Sequence, residues 1–159
     1  MKIHDVRTHP SAAPFPREEE LAWKLAMVAA DPVPLDADVA EMIGNRIVDN
    51  ASVAMAAINR APVVAARAQA LAHPRDGGAT LFGLPADIRV DAEWAAWANG
   101  TAVRELDFHD TFLMADYAHP GDSIPPMIAV AQQMGCDGAA LLRGIAAAYE
   151  IHIALVKSI

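Results

Sequence analysis

Cysteine, basic side chains and aromatic rings are all scarce in this chain of 159 residues, and each scarcity closes off a class of answer. A single cysteine, Cys136, has no partner for an internal disulfide. Twelve Lys and Arg against 20 Asp and Glu give a net charge of -8. No basic patch interrupts that balance, which argues against nucleic acid or an anionic membrane surface as a partner, because phosphate binding needs clustered Lys and Arg. Aromatic residues make up 6% of the chain, too few for the usual core of a β-sandwich. No uninterrupted apolar run of about 18 residues is present, so a membrane span is not expected. Met1 to Glu20 carries no apolar run of the signal-peptide kind, and the expected location is the cytoplasm.

What the chain does have is aliphatic and small: hydrophobic residues are 54% of the total and the mean hydropathy is +0.21. That composition suits helices packed on helices, and the fold class read from it is mainly all-α. Met1 to Pro16 holds three prolines and reads as an irregular arm. Arg17-Glu18-Glu19-Glu20 places acid in the first turn of a helix whose apolar positions are Leu21, Leu25 and Val28, stopped by Asp31-Pro32-Val33-Pro34. Asp36 or its neighbour caps a longer helix with Val39, Met42, Ile43, Ile47, Ala51, Ala54, Met55 and Ile58 on its apolar face. Pro62 fits the first turn of a third helix that ends at His73-Pro74.

Residues 79–90 contain short β-prone pieces, Thr80-Leu81-Phe82-Gly83 and Ile88-Arg89-Val90, and read as irregular or as a small hairpin. Asp91 can cap a helix containing Trp94, Trp97, Ala98 and Leu106 that delivers Asp107 at its end. Pro125-Pro126 fits only a first helical turn, which predicts a helix over about 124 to 134 closed by Gly135. The last helix starts near Asp137, carries Leu141, Leu142, Ile145, Ala148, Tyr149, Ile153 and Val156 on one side, and meets Ile159 without a capping residue, as though the sequence were cut off.

Between these helices lies the one dense chemical cluster: four aspartates and two histidines within the 16 residues Asp107 to Asp122. Connections longer than about 12 to 15 residues without secondary structure tend to be functional or disordered. Phe108, Phe112, Leu113, Met114 and Tyr117 carry too much apolar surface for a disordered linker, so the stretch is expected to fold over a pocket. Three readings fit it. Removal of water from a β-hydroxy acid needs a base for a C–H, an acid for the departing hydroxide and donors for the carboxylates, roles that Asp107, His119 and Thr111 can fill. Metal-assisted hydrolysis is the second, since His109-Asp110 resembles the dyad of HD-type phosphohydrolases, although no further ligand with matching context is found. The third is no chemistry at all, because Asp and His are ordinary loop and cap residues. By the same discount His4, His9, His73 and His152 read as surface or cap histidines, Trp94 and Trp97 as core, and Cys136 as a small buried side chain.

The run Ala98-Asn99-Gly100-Thr101-Ala102-Val103-Arg104-Glu105-Leu106-Asp107-Phe108-His109-Asp110-Thr111, followed by His119-Pro120-Gly121-Asp122-Ser123-Ile124-Pro125-Pro126, resembles the MmgE/PrpD family. Ile47-Val48-Asp49-Asn50 and Gly144 to Ile151 extend the resemblance over nearly the whole chain. Within the family the pattern is nearest the 2-methylcitrate dehydratases, while cis-aconitate decarboxylases share the Asp-Phe-x-Asp-Thr core. The resemblance implies a helical N-terminal domain followed by an α/β domain, and a homodimer. It implies elimination of water from 2-methylcitrate, a small tricarboxylate, to give 2-methyl-aconitate in propionate breakdown, the methylcitrate cycle. It also implies that no iron–sulfur cluster or other cofactor is used, in keeping with a single cysteine. Carried over residue by residue, it points to Asp107 and His119 as catalytic residues and to Thr111, with His109 and Asp110 beside it, at the substrate. A lysine and further groups come from later in relatives, which run to several hundred residues. The expectation is therefore a single helical domain over 1–159, truncated before the rest of the family fold and inactive alone. The alternative is a non-catalytic helical interaction or dimerisation fragment.

Overall fold

Proline, acid and glycine punctuation in the sequence turns directly into element boundaries. The structure is a computed structural model that describes residues 7–158. His4 and the first six residues of the proline-rich arm lie outside the described residues, as does Ile159. Two units are distinguished, one ending at Pro34 and one beginning at Leu35. In the first, Arg17–Glu19 form a separate 3-10 turn ahead of α1 (Leu21–Ala29), so the acidic residues precede that helix. Lys24 reaches back to Glu19 at 2.9 Å and the Arg17 guanidinium lies over the Trp23 ring.

The second unit is mainly helical, with two small sheets. α2 (Ala37–Ala57) and α3 (Ala61–Leu71, Pro62 in its first turn) lead into β1 (Pro74–Thr80), which pairs antiparallel with β2 (Arg89–Val90) through Ala79↔Val90 and Thr80↔Arg89. The hairpin option for 79–90 is the one adopted, with the first strand starting earlier than the β-prone residues. α4 (Ala92–Arg104) follows, capped by Asp91, whose carboxylate accepts from the Glu93 N–H. Then come a two-residue hairpin, β3 (Phe112–Leu113) with β4 (Tyr117–Ala118), a 3-10 turn over Pro120–Ser123, α5 (Ile124–Met134) and α6 (Gly138–Lys157). Gly135, at φ 64°, ends α5, and the Cys136 N–H bonds back to Ala131 O, the 6→1 bond of a glycine-terminated helix.

α4 is the packing centre, touching α2, α3, α5 and β1. It can do so because its inward face is alanine: Ala95, Ala98 and Ala102 meet Ala66 and Ala70 of α3, Ala54 and Ala57 of α2 and Ala129 of α5, and small side chains let helix axes approach closely. Larger side chains fill a third cluster, Ile43, Ile124 and Ile145, which holds α6. Polar groups around α4 and β1 find partners within the chain. Asn99 of α4 accepts from Phe82 N–H at 2.9 Å and donates to Thr80 O at 3.0 Å, extending β1 like a missing strand. Gln132 Oε1 accepts from Thr80 N–H at 2.8 Å, and Gln133 Oε1 accepts from Ala92 N–H at 2.8 Å, covering a free donor at the start of α4.

Several expectations are corrected. α2 buries Ile43, Asn50, Val53, Ala54 and Ala57, while Val39, Met42 and Met55 are exposed, because α4 contacts a face rotated from the one the largest side chains mark. Trp97 is 61% exposed, since alanines 95, 98 and 102 occupy the inward side of α4 and leave it facing out; Trp94 is half-buried, stacked on His73 at 4.0 Å. Cys136 is exposed, set outside the helices by the turn at Gly135. α6 is long and apolar enough, by length and composition alone, to cross a membrane, with a mean hydropathy of 1.5. Alanine and isoleucine raise that average around Arg143 and Glu150, and the helix packs against α5 and α2.

Candidate functional site

α4 ends at Arg104, short of the Leu106 expected from the sequence, and a reversal of the backbone then delivers Asp107. Asp107 N–H bonds to Arg104 O, and Asp107 itself adopts φ 56°, the left-handed region that few residues other than glycine and asparagine enter without cost. The reversal sends Phe108 outward and His109 inward, where it is 4% exposed.

His109 and His119 lie with ring centroids 4.8 Å apart. Each has one nitrogen committed to an oxygen that can only accept. His109 Nε2 meets Asp122 Oδ1 at 2.7 Å, and His119 Nδ1 meets the Asp110 carbonyl at 2.9 Å. Those partners put the protons on His109 Nε2 and His119 Nδ1 and leave the other nitrogen of each ring, when neutral, as a lone pair. His109 Nδ1 is buried with no hydrogen-bond partner among the described residues. His119 Nε2 faces Asp107 Oδ1 at 3.7 Å, beyond hydrogen-bond length, and Thr111 Oγ1 stands 3.3 Å from His119 Nδ1. The same Asp107 oxygen is 2.9 Å from Arg104 Nη1.

Asp110 takes a different position from its neighbours. Its Oδ1 accepts from Gly121 N–H at 2.8 Å and its Oδ2 from the Tyr149 hydroxyl at 2.7 Å, so both oxygens are engaged. Burial, reinforced by the Asp110 carboxylate, pushes the Tyr149 phenol well above its ordinary range and keeps it a donor. Gly121 is required here: a Cβ would overlap Asp110 Oδ1 and press on Asn50 Nδ2. Asn50, from α2, is buried, and both its side-chain polar atoms lack partners among the described residues.

The structure thus gathers Asp107, His109, Thr111 and His119, and engages Asp110 with Gly121 and Tyr149. Arg104, Asp122, Gly121, Asn50 and Tyr149 join the site without having been singled out for it. Asp122 left a signal as the last acid of the cluster, and Arg104 as the basic residue three positions before Asp107. One ligand atom each from Asp107, His109 and His119 lie within 4.8 Å of one another, a nitrogen and oxygen donor set that could hold a divalent ion; Asp110 of the His-Asp dyad is not part of it.

The apolar side chains of this stretch do not pack as expected. Phe108 is 75% exposed, Leu113 72%, Met114 58% and Tyr117 64%. Strand alternation explains two of them: Leu113 pairs with Tyr117 on the outer face of the hairpin, while Phe112 pairs with Ala118 on the face toward α6, where Lys157 covers the Phe112 ring. The stretch folds into the hairpin and the 3-10 turn, and its cluster is open to solvent on the Asp107 side.

Asp107, His109, His119 and Gly121 all lie within the stretch that one family model matches. The MmgE/PrpD N-terminal domain matches residues 19–159. The chain belongs to the MmgE/PrpD family. No solved structure matches it significantly. MmgE/PrpD proteins include dehydratases and other lyases.

Proposed function

We propose that this chain carries the acid–base groups of a 2-methylcitrate dehydratase, a cytoplasmic, homodimeric lyase that removes water from 2-methylcitrate to give 2-methyl-aconitate. The observation that supports the reading most directly is the approach of Asp107 Oδ1 to His119 Nε2 at 3.7 Å, with the Thr111 hydroxyl beside the same imidazole. A carboxylate and an imidazole that face each other at 3.7 Å can address one ligand together, one as base and the other, carrying a proton on its facing atom, as acid. Elimination requires one group to take the proton from the carbon next to a carboxylate and another to give a proton to the departing hydroxide. Carboxylate and imidazole form such a pair, and the Thr111 hydroxyl is free to donate to a substrate oxygen. Asp110 acts on the pair through its carbonyl, which holds His119 Nδ1–H and so aims Nε2 at Asp107. His109, fixed by Asp122, supports the His119 ring from behind.

The test is turnover of 2-methylcitrate by the full-length protein, followed by the ultraviolet absorbance of the conjugated product. Wild-type activity, lost on His119→Ala, is the expected outcome. Inert wild-type protein, or a His119→Ala variant as fast as wild type, overturns the reading. Release of carbon dioxide from cis-aconitate in place of that activity would move the assignment to the decarboxylase branch of the family.

A second reading is favoured by the exposed rim of Phe108, Leu113, Met114 and Tyr117: a non-catalytic helical segment whose role is association. Gel filtration with Leu113→Glu separates the two, since association through the rim is lost in that variant while a rim without such a role leaves the elution position unchanged.

A further inference from the structure

Arg104 stands at the edge of the acid–base pair and also on an open groove of about 530 Å³ along the outer face of α4, beside Trp97, Thr101, Glu105 and Asp122. The two acids on that groove have partners of their own: Glu105 is 3.0 Å from Arg60 Nε and Asp122 is 2.7 Å from His109 Nε2. Arg104 is the cation on the groove lining, and its close contact among the described residues is to Asp107 Oδ1 at 2.9 Å. That oxygen is the one that faces His119 Nε2. Arg104 and His119 therefore face the same atom, Arg104 in an ion pair and His119 beyond hydrogen-bond length.

The pair is also weak. Its side chains keep 46% and 66% of their surface exposed, and an i,i+3 ion pair so open to water contributes little to stability. A ligand carboxylate can present two oxygens to the guanidinium fork, with more of the fork's donors used than in the contact to Asp107. In a chain of net charge -8, an anionic ligand needs a local cation of this kind.

We propose that Arg104 is a carboxylate-binding residue exchanged between Asp107 and the ligand: it holds Asp107 in the free protein, passes to one carboxylate of a bound polycarboxylate, and thereby releases Asp107 Oδ1 toward His119. The proposal rests on the reading that this site handles a polycarboxylate. It makes Asp107 an internal competitor of the ligand, a consequence that a purely structural ion pair does not have.

The experiment is calorimetric titration of the full-length protein with tricarballylate, a tricarboxylate with no hydroxyl to eliminate, alongside KM and kcat for 2-methylcitrate. Arg104→Met is expected to weaken tricarballylate binding about tenfold or more, the loss of hydrogen bonds to a charged group, with Arg104→Lys between it and wild type. Asp107→Asn is expected to tighten binding about two- to fivefold by removing the competitor, and to do so only while Arg104 is present. KM should rise in Arg104→Met by the same factor as the binding constant. Unchanged tricarballylate affinity in Arg104→Met, or equal tightening by Asp107→Asn in the wild-type and Arg104→Met backgrounds, overturns the exchange. Those results with normal wild-type turnover defeat this inference alone. A wild-type protein that neither binds tricarballylate nor turns over 2-methylcitrate defeats the functional reading as well.

Discussion

The packing centre around α4 and the turn that follows it adjoin in sequence, yet they treat polar groups in opposite ways. Asn99 is buried and both ends of its amide are used, one on Phe82 N–H and the other on Thr80 O, while Gln132 and Gln133 answer backbone donors of β1 and α4. Around the turn, Asn50 is equally buried with neither end used among the described residues, His109 keeps a bare nitrogen, and Asp107 holds a left-handed backbone. Apolar side chains on the inward face of α4 are covered, whereas Leu113, Met114 and Tyr117 at the hairpin are exposed. Unanswered groups and backbone strain cost stability and persist only where the surroundings hold them, which is why they concentrate at sites of chemistry. The first region stabilises the fold, and the second draws on that stability.

The contrast between the regions is tested hardest by Asp107→Asn in the full-length protein. Turnover of 2-methylcitrate is expected to fall about a hundredfold or more. Chemical denaturation should show stability changed by less than about 0.5 kcal/mol, since the residue is exposed and asparagine tolerates its backbone. A variant that unfolds early would mean that Asp107 belongs to the framework after all. The mirror experiment is Asn99→Leu, which leaves Phe82 N–H and Thr80 O unanswered inside the core; a loss of about 3 kcal/mol is expected in urea unfolding. Little change there would erase the difference in how the two regions treat buried polar groups.

Gly121→Ala tests the join between them. The added Cβ must displace the Asp110 carboxylate, with an expected cost of about 2 kcal/mol and a loosened His119, visible as altered imidazole nitrogen shifts by NMR. The smallest effect belongs to Tyr149→Phe, about 1.5 kcal/mol for one hydrogen bond to the Asp110 carboxylate. Tyr149 also sets an alkaline limb. Its phenol ionises above the ordinary 10.0 in the folded protein, so beyond that pH the unfolded chain holds fewer protons and stability falls as pH rises. Below the ordinary value the contribution is complete. Thermal melts from neutral to strongly alkaline pH should show that limb flattened in Tyr149→Phe, and an unchanged slope would count against the assignment.

Much of the frame was legible because its signals act within one turn of chain. Pro125 and Pro126 fixed the start of α5, Gly135 its end, and Asp91 and Asp137 the caps of α4 and α6, whose carboxylates accept from Glu93 and Ala140 N–H. The cluster at 107–122 was legible as composition, and Asp107, Thr111 and His119 do converge. The rest was not, because it depends on residues far apart in sequence. Nothing local marks Asn50 as buried while Met42 and Met55 stay out, or tells that Asp110 turns from the histidines to Tyr149, 39 residues on. Trp97 misled for the opposite reason: its size suggests burial, but the helix it belongs to packs through alanine.

Alone, the sequence determined the helical class, most helix limits and the family, since backbone sterics, capping and a contiguous motif are written in neighbouring residues. Only the tertiary structure decided which face of α2 goes inside, that Arg104 and His119 address the same oxygen of Asp107, and that the hairpin presents its apolar side chains outward. The first follows from the packing of alanine-faced helices around α4, the second from the backbone reversal at Asp107 and the third from strand alternation in a two-residue hairpin, all set by how the chain folds back on itself.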